Sequence, residues 1–179
     1  MKTKILTLLL CLIFNCNSSN LFSNYILTES NFYSVSMLPK PPPVKIQIAI
    51  LFDTSNSMDG LINQAKSRIW NIVNEMTNLT YNGQTPIIEF ALYDYGNQTL
   101  SYSSNFIRQQ TPFTTDLDFL SQKLFALSTN GGDEYCGAVI ERSITDLGWS
   151  FNENDLKMIY IAGNEPFNQG PVDYKSVCE

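Results

Sequence analysis

Val44-Lys45-Ile46-Gln47-Ile48-Ala49-Ile50-Leu51-Phe52 alternates at first and then becomes wholly apolar, and it runs straight into Asp53-Thr54-Ser55-Asn56-Ser57. A strand that loses its polar side as it proceeds enters an interior covered on both faces, the environment of a parallel sheet flanked by helices. The next segment supports that reading: Leu61, Ile62, Ala65, Ile69, Trp70, Ile72, Val73 and Met76 recur at spacings of about three and four between Asp59 and Leu79, giving an amphipathic helix. Strand, polar loop and helix therefore form one unit.

The same alternation continues downstream. Asn82-Gly83 marks a turn before a second strand, Pro86 to Tyr93, and the stretch from Leu100 to Gln109 reads as a short edge strand. Thr115 is placed to cap a helix, with Asp118 three residues on and Leu117, Leu120, Leu124, Phe125 and Leu127 along one face. Gly131-Gly132 then breaks the chain before a helix from about Glu134 to Leu147, and Leu156 to Ala162 forms a last strand ending at Gly163-Asn164-Glu165-Pro166. The expected fold class is α/β: a Rossmann-like, mainly parallel sheet with helices on both faces. In such sheets ligands sit beyond the carboxyl ends of the strands. Asp53, Gly131 to Glu134, and Gly163 to Glu165 all fall in loops able to meet there. Trp70 and Trp149 read as packing residues, and Asp94-Tyr95-Gly96-Asn97 as a turn. Asn78-Leu79-Thr80 and Asn97-Gln98-Thr99 fit the glycosylation acceptor pattern and are assigned no role.

The amino terminus has a different character. Lys2 and Lys4 precede an apolar region from Ile5 to Phe14, then small or polar residues to Ser19, the pattern of an export signal too short to span a membrane. The expected organisation is residues 1–18 as signal, 19–43 as an Asn/Ser-rich linker stiffened by Pro39-Lys40-Pro41-Pro42-Pro43, and 44–179 as the folded domain. Cleavage after Ser18 and lipidation at Cys16 are competing outcomes, secreted or periplasmic in one case, lipid-anchored at the cell envelope in the other. In an oxidising compartment a Cys136–Cys178 disulfide competes with two buried thiols.

Composition excludes several functions. The formal charge of −6 becomes −8 without Lys2 and Lys4, and no basic patch is visible, which argues against nucleic acid and polybasic membrane contact. With no histidine in the chain, Ser-His-Asp and Cys-His catalysis and histidine-rich zinc sites are unavailable. One carboxylate and two hydroxyls, spaced two residues apart after a buried strand, instead offer the oxygen ligands that Mg²⁺, Mn²⁺ and Ca²⁺ take.

Asp53-Thr54-Ser55-Asn56-Ser57 after a buried strand, Gly131-Gly132-Asp133 ahead of a later helix, and a further strand ending in a polar turn together resemble a von Willebrand factor A (VWA) domain, from Val44 to the end of the chain. The resemblance implies a metal-ion-dependent adhesion site, in which the Asp and two Ser of an Asp-x-Ser-x-Ser motif hold a divalent cation with a Thr from a second loop and an Asp from a third. An acidic side chain of a partner protein completes the coordination. Asp53, Ser55 and Ser57 match that motif residue by residue. In the second loop the family's Gly-Gly-Thr becomes Gly-Gly-Asp, leaving Asp133, the preferred candidate, or Thr129. In the third, Gly163 stands where the Asp is expected, so the ligand is missing unless Asn164 or Glu165 replaces it.

The implied function is a non-enzymatic, exported protein-interaction module dependent on Mg²⁺, or on Mn²⁺ or Ca²⁺. Two alternatives stand beside it. One is a structural domain that has lost the ion, with Ser55 and Ser57 capping the helix and Asp53 bonded to backbone. The other is a phosphoryl-transfer enzyme, weakened because Ser55 occupies the place of the second Asp of an Asp-x-Asp nucleophile motif. The family also continues past the fourth strand, so truncation is expected, with that strand left as an exposed edge.

Overall fold

The computed structural model describes residues 11–13 and 42–179. The expected signal, the lipidation candidate Cys16 and the expected linker up to residue 41 otherwise lie outside the described residues. In chain order the elements are β1 (Cys11–Ile13), β2 (Lys45–Asp53), α1 (Ile62–Met76), β3 (Ile87–Tyr95), β4 (Ile107–Thr114), α2 (Leu117–Ala126), α3 (Cys136–Asp146), β5 (Leu156–Ala162) and α4 (Tyr174–Cys178). The sheet has the order β1-β5-β2-β3-β4. β2 pairs in parallel with β3 and with β5, while β4 on β3 and β1 on β5 are antiparallel. The expected α/β class, mainly parallel with helices on both faces, is the class observed.

β2 is central, and that explains its composition. Ile46, Ile48, Ile50 and Phe52 project to one face against Ile69 and Val73 of α1 and Leu120 and Leu124 of α2. Ala49 and Leu51 project to the other against Val139 and Ile140 of α3. A strand pleat sends successive side chains to opposite faces, so burial on both removes every polar position between Lys45 and Asp53 at its two ends except Gln47. Gln47 is 2% exposed, and its amide donates to Glu89 at 2.7 Å and its carbonyl oxygen accepts from Ser150 N at 2.6 Å. Each fully buried large side chain here contributes on the order of 2 kcal/mol.

Several local expectations are corrected. Asp116, not Thr115, caps α2: its extended backbone puts it at the cap position, and its carboxylate accepts from Phe119 N at 2.9 Å. The stretch assigned to an edge strand from Leu100 instead holds a 3-10 turn at Tyr102–Ser104, and β4 begins only at Ile107. β4 is an edge strand, which is why Pro112 is accommodated within it. Asp94 and Tyr95 belong to β3 rather than to a turn. Asp94 is fully buried and accepts from Arg108 Nε and Nη2 at 3.1 and 2.8 Å and from Gln110 Nε2 at 2.9 Å. The β5 edge expected to be bare pairs with Cys11–Ile13, opposite Tyr160 to Met158.

Trp70 packs edge-on against Phe125, and Trp149 against Phe113, as packing residues should. Cys136 and Cys178 are free thiols on one apolar cluster, the first buried and the second half-buried. Of these two, Cys178 is expected to alkylate in native, unreduced protein and Cys136 only after denaturation; peptide mass mapping showing the pair cross-linked would refute this. Among the described residues no helix is long and apolar enough to cross a membrane.

Candidate functional site

Three backbone connections draw the loops together at the carboxyl end of β2. Thr54 N donates to Tyr95 O at 2.9 Å, Asn130 N to Thr54 O at 3.0 Å, and Gln98 N to Gly131 O at 2.8 Å. Gly132 makes the last approach possible, since a β-carbon there would lie 2.3 Å from Gly96 O. The loop after β3, read from the sequence as a turn without a part in the site, is therefore the floor on which the first and second loops meet.

Asp53 closes β2 and is completely buried. Its Oδ1 accepts from Ser55 N at 2.9 Å, whereas Oδ2 has no hydrogen-bond partner. Burial, the largest influence, raises its pKa to about 6. The Ser55 amide and hydroxyl oppose that rise, the charge of Glu134 adds to it, and the backbone amide of Asn164 lowers it slightly. A buried carboxylate oxygen with no donor is costly, and a cation is the partner that would relieve it.

Ser55 and Ser57 lie beside it with their hydroxyls 2.9 Å apart. Neither acts as a helix cap: the 3-10 turn Asn56–Met58 directly after Ser55 has no side-chain cap, and neither does α1 at Leu61. Helix capping, one half of the structural alternative, is thus not what these hydroxyls do. Backbone bonding by Asp53, the other half, accounts for one oxygen of two.

The remaining candidates separate. Thr129 donates its hydroxyl to Asp59, tying the second loop to the start of the α1 segment. Asp133 is exposed, and its carboxylate accepts from Tyr135 OH at 3.2 Å. Its neighbour Glu134, absent from the sequence-derived set, is the buried one at 7% exposure. In the third loop Asn164, not Glu165, reaches the motif, accepting from Ser57 Oγ at 2.8 Å and donating Nδ2 to Ser57 O at 2.9 Å. Gly163 has no room for a side chain: a β-carbon would lie 2.8 Å from Tyr95 OH and 3.0 Å from Asp53 Oδ2. The missing third-loop carboxylate thus has a steric cause, since Tyr95 fills that corner. Among the described residues no group of three or more acidic or cysteine side chains gathers anywhere, so the donors here are hydroxyls, an amide oxygen and at most two carboxylates.

The mainly parallel sheet and the Asp-x-Ser-x-Ser loop at the carboxyl end of its central strand give this α/β domain the arrangement that the resemblance to VWA domains implies. Among solved structures, the chain is similar to the von Willebrand factor domain of the type V pili tip protein Mfa5 from Porphyromonas gingivalis, at 21% identity and a TM-score of 0.47, covering 66% of this chain and 37% of that one. It is also similar to proximal thread matrix protein 1 from the mussel byssus, solved with a zinc-occupied adhesion site, at 13% identity and a TM-score of 0.42, covering 62% and 26%. The chain thus spans well under half the length of either. No family model matches it, and no curated protein does.

Proposed function

We propose that the domain is an exported protein-interaction module whose contact runs through a divalent cation held at Asp53, Ser55 and Ser57. The observation that carries this reading is Asp53 Oδ2, fully buried, without a partner, and set beside two hydroxyls that cap no helix. When bound, the ion supplies a Lewis-acidic position that an oxygen ligand of a second protein completes; an acidic side chain is the ligand proposed. The chain's own residues orient that position: Ser55 N fixes the Asp53 carboxylate, and Asn164 holds Ser57 from the far side of the cleft. Mg²⁺ tolerates a shell with few protein ligands because it keeps its waters, and Mn²⁺ and Ca²⁺ accept the same oxygens. Export through the amino-terminal signal, with or without a lipid at Cys16, belongs to the same proposal.

One observation favours a second reading, a scaffold domain without the ion: Tyr95 excludes a side chain at Gly163, and with it the third-loop carboxylate. Calorimetric titration of Mg²⁺, Mn²⁺ and Ca²⁺ into wild type and Asp53→Ala decides between them. Binding by wild type, lost at least tenfold in the variant, is expected. Wild type that binds none of the three ions would leave the scaffold reading, and equal binding by both proteins would move the site elsewhere.

A further inference from the structure

Glu134 lies in the stretch between Gly132 and the first turn of α3, where the chain has little freedom. Gly132 abuts the backbone of Gly96, and Cys136 opens the helix two residues later. This pinning turns Glu134 inward and leaves Asp133 exposed. A β-carbon on Gly96 would lie 3.3 Å from Glu134 Cγ, from Asp53 Oδ1 and from Ser55 Cβ alike. Glu134 Cγ and Asp53 Oδ1 therefore both approach that point and lie no more than twice that distance apart.

Two carboxylates on neighbouring side chains, one of them with a fully buried oxygen, repel one another unless something positive lies near them. No basic side chain does so among the described residues. Their ion pairs are Lys45–Glu89, Arg108–Asp94 and Arg142–Asp146, and Lys66 is spent on the carbonyls of Phe125 and Leu127 at the end of α2. No hydrogen-bond donor among those residues reaches the Glu134 carboxylate either; the bonds Glu134 makes run through its backbone, from its amide to Gln169 Oε1 at 3.4 Å and from Cys136 N to its carbonyl oxygen at 2.9 Å. Asp133, by contrast, already has the Tyr135 hydroxyl.

We propose that Glu134, rather than Asp133, supplies the second carboxylate of the cation site, in place of the third-loop carboxylate that Tyr95 and Gly163 exclude. The proposal rests on the cation-site reading above and sharpens it. Two carboxylates balance a divalent charge, so the ion is retained between encounters without help from a partner. The pull exerted on an acidic partner is correspondingly weaker than from a site holding one carboxylate.

The test is Mn²⁺ titration of the full-length chain, wild type against Glu134→Gln and Asp133→Asn, with thermal unfolding of each in chelator. Glu134→Gln is expected to weaken Mn²⁺ binding at least tenfold while leaving the metal-free unfolding midpoint unchanged or raised, because a like charge beside Asp53 is removed. Asp133→Asn is expected to stay within about twofold of wild type. Glu134→Asp, which keeps the charge but withdraws it by one methylene, should fall between, and it carries the test if Glu134→Gln fails to fold. Wild-type affinity in Glu134→Gln or Glu134→Asp, or a loss confined to Asp133→Asn, overturns the assignment while the cation site stands. Wild type without affinity for Mn²⁺ overturns both.

Discussion

Metal-free wild type is expected to lose stability as the pH rises from about 4 to about 7, and Asp53→Asn to abolish most of that loss. The sign comes from the direction of the shift. Asp53 titrates near 6 in the fold against 3.8 in an ordinary chain, so the folded state holds its proton more tightly than the unfolded state does. The contribution is complete below the unfolded value and disappears as the pH climbs through the folded one. A shift of that size corresponds to about 3 kcal/mol, or roughly 10 °C in unfolding midpoint for a domain of this length. Burial of Asp53 without a partner for Oδ2 is the cause, and the neighbouring Glu134 charge adds to it.

Asparagine keeps an oxygen to accept from Ser55 N and carries no charge to desolvate. In chelator at pH 7 the variant should therefore unfold at a higher temperature than wild type. Adding millimolar Mn²⁺ should reverse the order, raising wild type and leaving Asp53→Asn where it was. Differential scanning calorimetry across pH 4 to 7, with and without Mn²⁺, measures all of this. A metal-free wild-type midpoint that climbs between pH 5 and 7, or equal stabilisation of both proteins by Mn²⁺, would contradict it. Such a pattern would be the exchange of stability for a functional site that the cation-site proposal requires.

Gly132→Ala is expected to be the most damaging single-methyl change in the cleft, costing about 3 kcal/mol or more in urea unfolding. The new β-carbon would sit 2.3 Å from Gly96 O and 2.8 Å from Gly96 C, and neither is a side-chain end that can swing aside. The second loop would have to lift, stretching the bond from Gln98 N to Gly131 O and carrying Glu134 away from Asp53. Cation affinity should fall together with stability. Gly148→Ala is the matched control: nothing lies within 4 Å of its β-carbon position, and the unfolding free energy should change by no more than about 0.5 kcal/mol. Equal effects from the two substitutions would show that the backbone contact at Gly132 carries no weight.

The fold was legible because period and burial coincide. β2 reads as a central strand since both its faces meet helices, and Leu156–Ala162 occupies the stretch that its apolar residues delimit. Capping was read one residue early at Thr115, since Thr and Asp both suit that position and only the backbone angles at Asp116 choose between them. The strand start near Leu100 was hidden by Ser101, whose carboxyl-side turn is a local hydrogen-bonding matter that alternation does not register.

For the site, Asp53, Ser55 and Ser57 are legible in the sequence alone, because their two-residue spacing at the end of a buried strand is a local property. Their partners are not. Asp133 and Glu134 are adjacent carboxylates, and which one turns inward is set by where Gly132 meets Gly96, a contact across 36 residues of chain. Asn164 rather than Glu165 reaches Ser57 for a similar reason, decided by how β5 ends beside β2. Tyr95 excludes a side chain at Gly163 although nothing in its own neighbourhood of the sequence announces it. Local chemistry determined the strand, the loop and its three oxygen donors; the packing of distant loops, where about one ångström separates contact from clash, decided which other groups face them.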